Sequence, residues 1–138
     1  MIGMSNPHAD LISDLCREIP LTELHRGTDK MAELMKRADL AIGAGGVMSW
    51  ERCCLALPTI AVHIADNQIG ALTALAGSSA VAYLGSASSV TVDQIAGSIR
   101  SMLGDPARTR AMGEAAWALV DGPGTSRVQE AMKALDGV

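Results

Sequence analysis

Three glycines, Gly43, Gly45 and Gly46, follow a short apolar run at residues 40–42 and precede a helix-forming segment that starts at about Ser49. Glycines let the main chain approach a ligand closely and adopt positive φ angles. The first N–H groups of a helix have no intrahelical partner and lie at the positive end of the helix dipole. This junction therefore favours a bound anion, and a phosphate group fits it naturally. A tight strand-to-helix turn without a ligand explains the same glycines.

The spacing of the glycines matches neither of the two common phosphate-binding motifs. The dinucleotide fingerprint G-x-G-x-x-G would place its third glycine where Met48 stands. A Walker loop requires Lys-Ser or Lys-Thr at a fixed distance, and that pair is absent from this segment. The loop by itself is therefore a weak predictor of any particular nucleotide.

Patterns typical of strands and helices alternate along the first part of the chain, which predicts an α/β fold with a Rossmann-like, wound parallel sheet. We predict strands at 2–4, 19–24, 40–42, 59–63 and 80–84, and helices at 8–17, 30–37, 49–57, 67–76, 91–102, 105–120 and from 126. In such sheets, ligands bind beyond the carboxyl ends of the strands. The loops that contain Gly43, His25 and residues 63–68 are expected to share one cleft.

Length and composition predict one domain that spans residues 1–138, with a core of small and aliphatic side chains, since 49% of the residues are hydrophobic and none is Phe. The formal net charge of −4 gives no basic surface for nucleic acid. No apolar run reaches the length of about 18 residues that a membrane span needs. The N-terminus also lacks a basic region that leads into an apolar signal segment. We therefore expect a cytoplasmic protein without nucleic-acid partners.

The titratable residues indicate neither a metal site nor a catalytic group. Cys16, Cys53 and Cys54 are odd in number and lack the C-x-x-C spacing, so neither a disulfide framework nor a zinc site is indicated. His63 stands at the end of a predicted strand, but a lone histidine is more often packed or hydrogen-bonded than a base. No metal, no cofactor and no catalytic residue are predicted.

Several motifs together resemble one family of sugar-nucleotide enzymes. They are ADLAIGAGG at 38–46, SWERCC at 49–54, Leu-Pro at 57–58, Asn-Gln at 67–68 and the C-terminal D-G-x-G and Arg-Val at 121–128. This set resembles the UDP-2,4-diacetamido-2,4,6-trideoxy-β-L-altropyranose hydrolases of pseudaminic acid biosynthesis and the related spore-coat polysaccharide proteins. More distantly, the chain is similar to the C-terminal half of the peptidoglycan UDP-N-acetylglucosamine transferase and other GT-B glycosyltransferases. The resemblance covers nearly the whole chain.

The resemblance implies a set of contacts to a nucleotide sugar. Main-chain groups at Gly45, Gly46 and Val47 would face the diphosphate, and the Glu51 carboxylate would accept hydrogen bonds from the ribose hydroxyls. The Asn67 and Gln68 side chains would lie beside the phosphate or sugar, and the loop at 24–28 beside the uracil. The complete set of expected nucleotide-sugar-binding residues is Gly45, Gly46, Val47, Ser49, Glu51, Asn67 and Gln68.

Simpler explanations exist for two of these expected contacts. Glu51 could be a solvated glutamate in the first turn of its helix, where the dipole favours it. Asn67 and Gln68 could cap a helix.

The chain departs from the family pattern in two respects. The family's catalytic histidine belongs to an N-terminal domain that this sequence does not contain, so no hydrolytic base is carried over. The first βα unit of the family's C-terminal domain also has no counterpart before residue 2. Loss of an inner parallel strand would leave two rows of backbone groups unpaired, which predicts a rearranged sheet, a homo-oligomer or pairing with another chain.

Three functions are compatible with this sequence. The first is a UDP-sugar-binding domain of a nucleotide-sugar hydrolase or glycosyltransferase of surface polysaccharide or pseudaminic acid biosynthesis. The second is a noncatalytic interaction subunit that completes a split glycosyltransferase with a separate N-terminal partner. The third is a fragment without affinity for any ligand.

Overall fold

The computed structural model describes residues 1–136, which form two compact units, 1–33 and Leu34 onward. The second unit contains a three-stranded parallel sheet with flanking helices. The predicted α/β, Rossmann-like class is therefore confirmed.

The first unit contains one complete helix, α1 (Ala9–Glu18), and no strand longer than a single bridge that pairs Ile2 with Arg26. The predicted strand at 19–24 is wrong. Pro20 lacks an N–H group that could join a ladder, and Leu21 is fully exposed with a φ angle of +61°. The predicted strand at 2–4 is likewise reduced to the bridge at Ile2. Helix α2 (Met31–Arg37) follows.

The sheet consists of β1 (Ala41–Ala44), β2 (Thr59–His63) and β3 (Ala82–Ser86), in that spatial order and all parallel. Ala41 pairs with Thr59 and Ala44 with Val62, so β1 and β2 end at the same edge of the sheet. The first three residues of the central strand β2 are completely buried, as expected for a parallel strand that is covered on both faces.

Five helices and a short 3-10 turn connect or follow the strands. They are α3 (Val47–Cys54), the 3-10 turn (Asp66–Gln68), α4 (Ile69–Gly77), α5 (Val92–Gly104), α6 (Pro106–Leu119) and α7 (Gly124–Asp136). Thr91 and Gln94 form a reciprocal capping box at the start of α5, and the Asp105 side chain caps α6 with Pro106 in its first position. None of the helices within residues 1–136 is long and apolar enough to cross a membrane.

The core of the second unit lies where β2 meets α3, α4 and α6. It contains Cys53, Ala61, Leu72, Leu75, Ala80, Val81 and Ala116. Small residues permit close packing in this core: a Cβ atom at Gly113 of α6 would overlap the main-chain carbonyl of Ala56, just beyond α3. The packing of α3 against α6 fixes the direction in which the amino end of α3 leaves the sheet.

Candidate functional site

Two positions in the connection from β1 to α3 favour glycine for different reasons. One has a backbone conformation that only glycine adopts readily, and the other lies in close contact with neighbouring side chains. Gly46 has φ +105° and ψ −162°, a region essentially restricted to glycine. At Gly45, a Cβ atom would lie 2.8 Å from Leu72 Cδ1 and 3.1 Å from Gln68 Cβ. Gly45 is thus required because the loop packs on the amino end of α4, and its N–H group donates to the Val62 carbonyl at 2.9 Å.

The next three N–H groups, those of Gly46, Val47 and Met48, have no hydrogen-bond acceptor within residues 1–136. They are the orphan donors expected at the start of a helix, and α3 begins at Val47 rather than at the predicted Ser49. The Ser49 N–H group donates to the Gly46 carbonyl at 2.9 Å and closes the turn. The main chain therefore presents a short row of unpartnered donors at the carboxyl end of β1, and Val47 is 74% exposed.

Gln68 lies against the glycine loop, as the resemblance implied for a residue beside the phosphate. Its Oε1 accepts from the Ile64 N–H group at 3.0 Å, which fixes the orientation of the amide. Its Nε2 would be 3.7 Å from a Cβ atom at Gly46, and no acceptor for this amide nitrogen is found in the described residues. The side chain of Gln68 makes no capping bond to α4, and Asn67 is exposed. Gln68 thus adds a side-chain donor beside the main-chain donors.

Glu51 is exposed on α3, and its carboxylate makes no hydrogen bond or ion pair with another described residue. Because α3 begins at Val47, Glu51 is the fifth residue of the helix and lies beyond the first turn. Glu51 is therefore solvated, as the simple explanation predicted, but it does not lie in the first turn, where the dipole would favour it. The carboxylate is free to accept hydrogen bonds.

Ser49 is buried, with 3% of its surface exposed, and its hydroxyl accepts a hydrogen bond from Arg52 Nη2 at 3.1 Å. Ser49 thus contacts the loop from the protein side. The same Arg52 nitrogen donates to the Ala44 carbonyl at 2.7 Å. Arg52 is a functional candidate that was not predicted from the sequence, although its spacing of three residues from Ser49 places both on one side of the helix.

His63 and the loops that follow β2 and β3 form a pocket of about 510 Å³, lined by His63, Ile64, Asp66, Ser86, Ala87 and Ser88. The His63 Nδ1 atom lies 2.6 Å from the Tyr83 hydroxyl, so this histidine is hydrogen-bonded, as the general expectation for a lone histidine predicted. The pocket opens at the carboxyl ends of the strands, the edge where ligands bind in wound sheets. It lies at the same edge of the sheet as the glycine loop.

A more apolar pocket of about 440 Å³ lies at the opposite edge of the sheet. Its lining includes Leu40 and Pro58, which precede β1 and β2, together with Met102 and Pro106. Its polar lining groups include Thr109 and Arg110, which could contact a phosphate, but also the acidic side chains of Asp39 and Glu114, which would repel one. Within the described part of the chain, no cluster of three or more His, Cys, Asp or Glu side chains could hold a metal ion.

The C-terminal motif has a visible structural role. Arg127 donates two hydrogen bonds to the Asp121 carboxylate, at 2.7 and 2.8 Å, and this pair closes the turn that leads into α7. The pair lowers the pKa of Asp121 and raises that of Arg127. Gly122 between them has a φ angle of +91°. This part of the motif therefore positions a helix.

The comparisons with known proteins agree with part of the expected resemblance. The chain is 26% identical over 128 residues to the spore coat polysaccharide biosynthesis protein SpsG of Bacillus subtilis (strain 168). The match covers 93% of this chain and 38% of that protein, so the chain spans less than half the length of its relative. No family model matches the sequence. The likeness supports a distant relationship to spore-coat polysaccharide biosynthesis proteins.

Proposed function

We propose that the unit from Leu34 onward binds the diphosphate of a UDP-sugar, as the GT-B-type C-terminal domain of a nucleotide-sugar hydrolase or glycosyltransferase in surface polysaccharide biosynthesis. The likeness to a spore coat polysaccharide biosynthesis protein supports the biological role. The observation that supports a diphosphate as the ligand is the row of unpartnered N–H groups at Gly46, Val47 and Met48. Pseudaminic acid biosynthesis and a cytoplasmic location stay predictions.

The chemistry of these donors suits a diphosphate. Main-chain N–H groups at the start of a helix bind phosphate oxygens directly. Because such donors are fixed before the ligand arrives, they also stabilise negative charge that develops on a leaving group. The Gln68 Nε2 atom would bind a further oxygen. In hydrolysis or transfer, this domain would hold the UDP leaving group, and the groups that activate water or acceptor would come from elsewhere.

Glu51 is proposed to recognise the ribose. An ionised carboxylate only accepts hydrogen bonds, so it pairs well with two vicinal hydroxyl donors. Glu51 is five residues after Gly46 on the helix that starts at the proposed phosphate site, and it is exposed. Asn67, exposed in the middle of the 3-10 turn, is proposed to contact the phosphate or the sugar.

Calorimetric titration with UDP tests this function. We expect wild-type protein to bind UDP and Glu51→Ala to bind about 1–3 kcal/mol more weakly, the range for loss of a hydrogen bond to a charged group. Glu51→Gln keeps the shape of the side chain and should lose part of that affinity. Glu130→Ala, a change of the same type on exposed helix α7, is the matched control and should leave the affinity unchanged.

The outcomes separate the alternatives clearly. Absence of UDP binding to the wild type would refute the function and favour a fragment without ligand affinity. Equal affinities of wild type and Glu51→Ala would refute the ribose contact alone.

We propose a noncatalytic interaction subunit as the second candidate function. In that case a separate chain with the N-terminal half would complete the cleft, and turnover of a UDP-sugar would appear only when both are mixed. Light scattering of the purified chain tests the expected homo-oligomer. Copurification of a second protein together with restored turnover would support the split enzyme, whereas turnover by this chain alone would exclude it.

A further inference from the structure

The guanidinium of Arg52 is a buried positive charge without a carboxylate partner in the described residues. Only 4% of the Arg52 surface is exposed, and its hydrogen bonds go to two neutral oxygens, the Ala44 carbonyl and the Ser49 hydroxyl. Its Nε atom is buried and has no partner within residues 1–136. Buried charges are normally paired, because the loss of hydration costs several kcal/mol per ion.

The position of this charge connects it to the proposed phosphate site. A Cβ atom at Gly43 would lie 2.5 Å from Arg52 Nη1, so the guanidinium lies directly against the end of β1. Its Nη2 atom binds Ala44, the residue before the two loop glycines, and Ser49, whose N–H group donates to Gly46. Arg52 therefore contacts the loop from the protein interior. The unpartnered N–H groups belong to the end of the same loop and to the first turn of α3.

We propose that Arg52 is a positioning residue that supplies the buried counter-charge for a diphosphate on the N–H groups of Gly46, Val47 and Met48, and thereby selects phosphorylated over neutral ligands. The inference rests on the proposed function, because it assigns the diphosphate to that site. The low dielectric around a buried side chain strengthens its attraction for an anion that does not touch it. Burial lowers the pKa of Arg52, but an arginine keeps its proton at neutral pH.

A purely structural role would make a different prediction. If Arg52 only fixed the Ala44 carbonyl, its removal would disturb the loop and weaken every ligand alike. If Arg52 acts through its charge, its removal weakens anionic ligands and spares neutral ones. The comparison of inorganic pyrophosphate and UDP with uridine, which has no phosphate, separates these two roles.

The experiment titrates wild type, Arg52→Met, Arg52→Lys and the control Arg100→Met with the three ligands. Arg100→Met removes the same charge from an exposed position on α5. We expect Arg52→Met to bind pyrophosphate and UDP at least about tenfold more weakly, from a charge interaction at an effective dielectric of about 20, with little change for uridine. Arg52→Lys, which keeps the charge, should retain most of the affinity, and Arg100→Met should match the wild type.

Unchanged pyrophosphate affinity in Arg52→Met, or an equal loss for uridine, would overturn the inference. Should Arg52→Met fail to fold, the wild-type protein provides the second test. The NMR signal of the Arg52 Nε–H group should shift on addition of pyrophosphate while that of Arg100 stays in place. An unchanged Arg52 signal at saturation, or no binding of pyrophosphate, would refute the proposal.

The same titrations distinguish this inference from the proposed function. If the wild type binds pyrophosphate but not UDP, and Arg52→Met binds pyrophosphate more weakly, the role of Arg52 is supported and the assignment of a uridine nucleotide is refuted. Binding of UDP with equal affinity by wild type and Arg52→Met would support the nucleotide and refute the role of Arg52.

Discussion

Replacing Gly46 with alanine changes the one loop position whose backbone lies in a glycine-only region. The φ and ψ angles of +105° and −162° are strained for any residue with a Cβ atom. Space is not the obstacle, because the nearest atom to that Cβ, the Gln68 Nε2, would be 3.7 Å away in ordinary contact. The variant therefore measures backbone strain almost free of steric overlap.

The magnitude follows from two opposing terms. Holding alanine in this conformation costs about 1–3 kcal/mol. Alanine also stiffens the unfolded chain, which offsets about 0.4–1 kcal/mol of that cost. We expect Gly46→Ala to lower the free energy of unfolding by about 1–2 kcal/mol, or to turn the Val47 and Met48 N–H groups away from their present direction.

Urea unfolding of Gly46→Ala and of the control Gly97→Ala is the assay. Gly97 lies inside α5 with open space around its would-be Cβ atom, so alanine there should stabilise the protein by about 0.5–1 kcal/mol. The same chemical change should thus have opposite signs at the two positions, with similar dependence on urea concentration. A Gly46→Ala protein as stable as wild type, with undiminished UDP affinity, would refute the reasoning about this loop.

Three further predictions concern packing and protonation. Gly113→Ala should destabilise the protein by about 1–3 kcal/mol in urea unfolding, because its Cβ would overlap the Ala56 carbonyl, and wild-type stability would contradict that packing. Burial raises the pKa of the Cys53 thiol above its ordinary 9.0, so the folded state keeps its proton longer and stability should fall as pH rises above about 9. Cys53→Ala should remove that decline, and an identical decline in both proteins would exclude Cys53 as its cause. In NMR titrations, Arg127→Gln should raise the pKa of Asp121 toward its ordinary 3.8, and an unchanged Asp121 titration would show that the pair does not form in solution.

The parts of the fold that the sequence predicted well are those that local chemistry determines. Strand β2 matches the predicted range to the residue, because Pro58 ends the preceding segment and a β-branched run follows. Thr91 and Asp105 cap α5 and α6 as their residue types indicate. Strand β3 begins at Ala82 instead of Ala80, since strand ends depend on which residues find partners in the neighbouring strand.

The features that the sequence did not reveal depend on contacts between distant parts of the chain. The apolar run at 19–24 has strand-like composition but finds no neighbouring strand to pair with among residues 1–33. The small size of Gly45 accommodates Leu72 and Gln68, which lie more than 20 residues away. Arg52 is buried because its long side chain reaches back to the end of β1, and nothing local distinguishes it from a solvated arginine.

Residue-resolved NMR during titration with UDP tests the central claim most directly. The amide signals of Gly46, Val47 and Met48 should move together and saturate, because their N–H groups gain the phosphate oxygens that they lack in the free protein. The Gly45 amide, already bonded to Val62, should move less. Static signals throughout the loop, or changes confined to the pocket around Pro58 and Met102 at the opposite edge of the sheet, would contradict the account.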